Sequence, residues 1–225
     1  MNIDGIVKLC TVENLTFAEL CEDALFKKIS GPDVKLYINS LIAIASARAD
    51  KFKSGSRGAR FSVLDICRSE GVSVNLIDNP CPRAVPVFRA EILYREKLIN
   101  VMKSSVDQIC GVLKNFNFNG LECIASFDYI KDMHIAHELY HFIEFSSGEY
   151  IQDELAGVTY FKIGGFEKKT GVAKASEAAA HIFCMKIMDA PFHPKLLDYL
   201  CMLDAGEISY EKLIGFLESI GYKDL

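Results

Sequence analysis

The chain has 225 residues, 50% of them apolar and 24% charged, with a net charge of -5. That length buries a substantial core, and the acidic balance argues against direct nucleic-acid binding. No run approaches the roughly 18 uninterrupted apolar residues of a membrane helix, so no membrane association is expected.

The opening MNIDGIVKLCTVENL carries an early acid and neither the basic nor the apolar region of a secretory signal, which points to a cytoplasmic protein. The cysteines, Cys10, Cys21, Cys67, Cys81, Cys110, Cys123, Cys184 and Cys201, form no C-x-x-C pair and are read as reduced thiols. Residues 12–28 and 33–53 have helical apolar spacing, separated by GPD with Asp33 as an N-cap. Arg48, Lys51, Lys53, Arg57 and Arg60 around KSGSRGAR read as a solvated basic loop.

FSVLDICRSEG reads as a short helix stopped at Gly71, and VSVNLID as a strand in which Val72, Val74 and Leu76 alternate. After the turn NPCPRA, the runs VPVFRAEILYR and KLINVM read as two more strands and complete a small antiparallel meander. Residues 104–116 and 127–145 return to helical spacing, and 150–170 read as loop or short strands. A helix over 173–188 is stopped by Pro191 and Pro194, with His193 on a surface loop, and two amphipathic helices follow. The class is α+β, a mostly helical single domain around a small antiparallel sheet. Residues 1–60 form an N-terminal helical region, either a cap or part of the same body, and 191–225 hold the C-terminal helices.

Chemistry concentrates in HIAHELYHFIE. On a helix, His134, His137, Glu138, His141 and Glu144 fall on one stripe, and Ile135, Ala136, Leu139, Phe142 and Ile143 cover the rest. An ordinary solvated stripe favours Lys, Glu and Gln, so histidines among apolar residues point to a polar face turned into a cleft. Within it, residues 137–141 read H-E-x-x-H, where two imidazoles one turn apart converge on one Zn²⁺ and the adjacent Glu138 acts as general base toward a water.

A catalytic zinc site needs a third protein ligand. Glu144 is seven residues from His137, about 10.5 Å along the helix, too far for three ligands from one helix to meet. The better candidate is Glu177 in KASEAAAHIFCMKIM, a lone acid among small and apolar residues that allow close helix approach; as a first-turn acid favoured by the helix dipole it has a second, plainer reading. His181, one turn after Glu177, faces the same side and could orient a ligand, bind a developing oxyanion or fill space. His134, one turn before His137, reads as a supporting or structural residue.

IAHELYH followed by EAAAHIFCMKIM resembles the ImmA/IrrE family of metallopeptidases, in which an A-H-E-L-G-H-like helix precedes an E-x-x-A-N-x-F-A-x-x-L-L-like helix. The resemblance covers about residues 60–190 and is sharp at the two motifs. It implies that 61–190 is a zincin-like catalytic core, with His137, His141 and Glu177 as Zn²⁺ ligands and Glu138 as base. It also implies an intracellular endopeptidase whose protein substrate is a helix-turn-helix repressor. Tyr140 stands where glycine is usual, His181 where Asn is common and Cys184 where Ala is common, and the stretch from Leu121 to Met133 is longer than usual. These departures keep a second function open, a metal-containing regulatory or binding protein that recognises its partner without cutting it.

Overall fold

The computed structural model describes residues 3–54, 62–78, 89–116 and 122–220. Two short helices, α1 (Asp4–Leu9) and α2 (Val12–Leu20), open it, the second capped by the Thr11 hydroxyl, which accepts the Asn14 amide at 3.2 Å. The helical spacing over 12–28 does not produce one helix. Asp23 interrupts it by accepting the Leu25 amide at 2.8 Å and the Lys174 amide at 3.4 Å, and only a 3-10 turn at Phe26–Lys28 follows. Helix α3 (Gly31–Ser54) begins ahead of Asp33, which sits in its first turn rather than at the N-cap and gives its amide to the Ser30 carbonyl at 3.0 Å.

Helix α4 (Val63–Glu70) has the expected bounds. Ser62 and Asp65 form a capping box at its start, and Gly71 ends it at φ +70°, a left-handed value that glycine takes without strain. Strands β1 (Ser73–Ile77), β2 (Ala90–Leu93) and β3 (Leu98–Met102) form a sheet in the order β1-β3-β2. β2 and β3 are antiparallel, with Ile92 opposite Ile99, but β1 runs parallel to β3, with Val74 opposite Ile99. The sheet is thus mixed, not a wholly antiparallel meander. Burial explains the order: β3 holds the fully buried Ile99 and Val101 and takes the centre, whereas Leu76 on β1 is 43% exposed and ends the expected alternation. NPCPRA and the start of VPVFRAEILYR lie outside the described residues.

Helix α5 (Lys103–Asn115) leads toward α6 (Phe127–Ser147), which is capped by Ser126 and closed by Gly148 at φ +71°. The next stretch contains the short helix α7 (Ile151–Glu154) and the hairpin of β4 (Val158–Ile163) and β5 (Phe166–Thr170). Helix α8 (Lys174–Met188) packs against both α3 and α6, while α6 also contacts β2 and β3. Ala175, Ala178, Ala179 and Ala180 of α8 are wholly buried, and their small side chains bring the helix axes close. Just upstream, a Cβ on Gly171 would lie 2.6 Å from the Gln152 carbonyl oxygen, so only glycine lets the chain pass α7 here. Helices α9 (Leu196–Asp204) and α10 (Tyr210–Ser219) complete the chain.

Buried side chains from Ile3 to Leu217 belong to one cluster, so the N-terminal and C-terminal helices share the core of a single α+β domain. Among the described residues no helix is long and apolar enough to cross a membrane.

Candidate metal centre

Helical spacing on α6 puts His137 and His141 on one face, with their Nε2 atoms 3.2 Å apart. The close packing of α8 brings the first-turn Glu177 to the same point. Its Oε2 lies 3.3 Å from His137 Nε2 and its Oε1 lies 3.5 Å from His141 Nε2. A tetrahedral zinc ion with ligands at about 2.0–2.1 Å places its ligand atoms about 3.3 Å apart, close to these three separations, in which Glu177 meets each ring through a different oxygen. Two imidazoles and a carboxylate therefore fit a divalent metal such as zinc in both chemistry and spacing.

In the absence of a metal the same atoms interact as acid and base. Hydrogen bonding to His137 holds the Glu177 carboxyl down at about 2, against the burial that would raise it. Burial acts to lower the His137 pKa, but the hydrogen bond to Glu177 and the charges of Glu177, Glu138 and Glu19 together outweigh it, and the net shift is upward. Burial lowers His141 to about 4, helped by the neighbouring His137. On the other side of His141, Nδ1 lies 3.2 Å from Ser176 Oγ, whose hydroxyl donates a short hydrogen bond to Glu144.

Glu138 lies beside the ligands and accepts a hydrogen bond from the Ile92 backbone on β2. Burial raises its pKa, with Glu177 and Glu91 adding to the effect and His137 opposing it. A cleft of about 510 Å³ opens here, lined by His137, Glu138 and Glu177 and, farther out, by Glu19, Arg89 and Lys195. His181 also lines it, with its ring centroid 4.8 Å from that of His137 and its Nε2 4.0 Å from Glu19 Oε2, too long for a hydrogen bond. Burial drives the His181 pKa well down, and its Nδ1 has no hydrogen-bond partner among the described residues. His134 lies in the cleft wall outside the ligand triangle; burial lowers it to about 3, and its Nε2 is likewise unpartnered among the described residues.

Two sequence readings need correction. His193 is not on a surface loop. It is 1% exposed, because residues 192–197 tuck inward and its ring packs 5.1 Å from that of His181. Arg48 does not belong to a solvated basic cluster. It is buried and donates to the Tyr140 hydroxyl at 2.7 Å, to Glu144 Oε1 at 3.1 Å and to the Glu149 carbonyl at 2.8 Å, and it also pairs with Glu154. Lys51 and Lys53 belong to the last turn of α3, the first exposed and the second half-buried and paired with Asp189 at 2.5 Å, whereas Arg57 and Arg60 fall outside the described residues.

The sequence reading also passed over Glu19, Glu22, Lys174 and Lys195. Lys174 reaches Glu19 and Glu22 at 2.8 Å each, and Lys195 reaches Glu22 at 2.8 Å and Glu19 at 2.5 Å, so four charges interlock at the cleft wall. Glu19, a lone acid between Ala18 and Leu20, carried the only local signal of burial. The six described cysteine thiols, at Cys10, Cys21, Cys67, Cys110, Cys184 and Cys201, are free; Cys81 and the Cys123 side chain lie outside the described residues. No family profile, curated protein or solved structure matches the chain.

Proposed function

We propose that the protein is a zinc-dependent endopeptidase of ImmA/IrrE type, with His137, His141 and Glu177 as metal ligands and Glu138 as general base. The observation that carries this reading is the convergence of two imidazole nitrogens from α6 and the Glu177 carboxylate from α8, with closest approaches of 3.2–3.5 Å and a second carboxylate beside them in an open cleft. A zinc ion held there supplies Lewis acidity toward water and toward a peptide carbonyl.

The chain's own groups supply the rest. Glu138, its pKa raised by burial, takes a proton from the attacking water and delivers it to the nitrogen of the leaving amine. His181 faces the cleft and serves as a hydrogen-bond donor to the carbonyl oxygen as negative charge develops on it. Among the described residues β2 is an edge strand of the sheet, and its Ile92 backbone already donates a hydrogen bond to Glu138. An extended polypeptide laid along that edge would present its backbone to the base, which favours a protein or peptide substrate over a small amide. A cytoplasmic helix-turn-helix repressor is the substrate that the motif resemblance indicates.

The test has two parts. The purified wild-type protein should carry about one zinc per chain by elemental analysis, and it should cleave a co-expressed repressor at one site. Glu138→Gln should keep the metal and lose cleavage by at least about 10²-fold, the lower end of what general-base catalysis contributes. Retained full activity in Glu138→Gln removes the mechanism. A tight complex with an uncut partner would instead assign the protein as a regulatory binder.

A further inference from the structure

Glu144 lies too far along α6 to be a third ligand, yet it is 1% exposed and heavily bonded. Its Oε1 accepts from Arg48 Nη1 at 3.1 Å, from the Tyr140 hydroxyl at 3.1 Å and from the Ile151 amide at 2.8 Å. Its Oε2 accepts from the Ser176 hydroxyl. A serine hydroxyl has one proton. With that proton directed at Glu144, Ser176 Oγ can only accept from the ring nitrogen 3.2 Å away, His141 Nδ1. The His141 proton therefore sits on Nδ1, and the Nε2 lone pair points at His137 and Glu177.

We propose that Ser176 and Glu144 form a positioning relay that fixes the ring orientation and tautomer of His141 for metal binding, with Arg48 and Tyr140 holding Glu144 in place. This rests on the reading of His137, His141 and Glu177 as metal ligands. Partners of this kind on the far nitrogen of a ligating imidazole fix its tautomer and raise its basicity. The relay also accounts for Tyr140 standing where the resembling family has glycine. The phenol lies between Arg48 and Glu144, accepting from the first at 2.7 Å and donating to the second at 3.1 Å, so Arg48, Tyr140 and Glu144 act as one set. Ser176 and Glu177 are neighbours in the first turn of α8, so the docking of one helix delivers both a ligand and the group that orients another ligand.

The relay can be separated from plain structural support by measuring metal affinity and tautomer alongside stability in the full chain. Ser176→Ala removes the hydroxyl without touching the Arg48–Glu144 pair. It should weaken zinc binding about 10- to 100-fold in competition with a chromophoric chelator, while the melting temperature of the metal-free protein stays within a few degrees of wild type. Ser176→Thr keeps a hydroxyl and should retain most of the affinity. Nitrogen-15 correlation spectra of the metal-free wild type should show His141 protonated at Nδ1, and Ser176→Ala should redistribute that proton. Zinc affinity unchanged within twofold in Ser176→Ala, or wild-type His141 protonated at Nε2, overturns the relay. A wild-type protein that binds no zinc overturns the ligand assignment instead, and the spectra still read the relay independently.

Discussion

The two histidines of the H-E-x-x-H run sit in opposite surroundings. Behind His141 every polar atom is engaged: Ser176, Glu144, Tyr140 and Arg48 form a continuous chain that ties α3, α6, α7 and α8 together. On the other side, around His137, three imidazoles each leave one ring nitrogen without a partner among the described residues: His181 Nδ1, His134 Nε2 and, beyond them, His193 Nε2. An unmatched buried polar atom costs about 1–3 kcal/mol, so the two sides differ in what their polarity does. On the closed side it holds the scaffold and a ligand. On the cleft side it is left unpaired among the described residues, and it burdens the fold.

Breaking the closed side should therefore act on stability, and breaking the cleft side on chemistry. The largest expected effect on folding is from Arg48→Met, which leaves Glu144 without its cation. Loss of one partner of a buried ion pair costs about 3–5 kcal/mol, which for a chain of this size lowers the melting temperature by about 10 °C in a calorimetric scan. His181→Leu, which removes the donor, should instead leave the melting temperature and zinc content close to wild type and reduce kcat about 10²-fold with little change in KM, the scale expected for one lost transition-state donor. A large stability loss in this variant with normal kcat would reverse the contrast.

A smaller effect is expected at His134. His134→Leu replaces a buried ring that has an unpartnered Nε2, and chemical denaturation should place it within about 1 kcal/mol of wild type on either side. The smallest effect concerns the ion pairs at the cleft wall. Burial acts to raise the Glu22 pKa, but Lys174 and Lys195 outweigh it, and its folded value lies below the ordinary 4.5. A carboxyl lowered by folding contributes stability above its unfolded pKa and loses it as the pH falls through the folded value. Because Glu22 is half exposed, Glu22→Gln should cost under about 1 kcal/mol, and the difference from wild type should shrink as the pH falls, as measured by urea denaturation at pH 7 and pH 3.

Part of this arrangement is legible in the sequence. The stop at Gly71 and, to within two residues, the bounds of α6 and α8 follow from local chemistry, because helix caps and apolar periodicity act within a few residues. The break of the first long helix was not legible in the same way. The competing acceptor, Asp23, is engaged partly by Lys174, far along the chain, and the propensities of residues 12–28 carry no trace of that contact. The mixed sheet was missed for a related reason: strand order follows from which strand is most buried, and alternation within β1 does not reveal its neighbour.

What the sequence determined by itself is the convergence of His137 and His141, with Glu138 beside them, since a helix of 3.6 residues per turn sets positions four apart on one face wherever it is placed. The lone Glu177 among alanines carried a legible hint of burial. Its arrival at the two rings, the pairing of Arg48 with Glu144 across 96 residues and that of Lys195 with Glu19 across 176 were decided only by the tertiary structure. A charged side chain looks alike in a sequence whether water or a buried partner will satisfy it. Only the packing of α8 between α3 and α6 brings these partners within reach, and with them the group that orients His141.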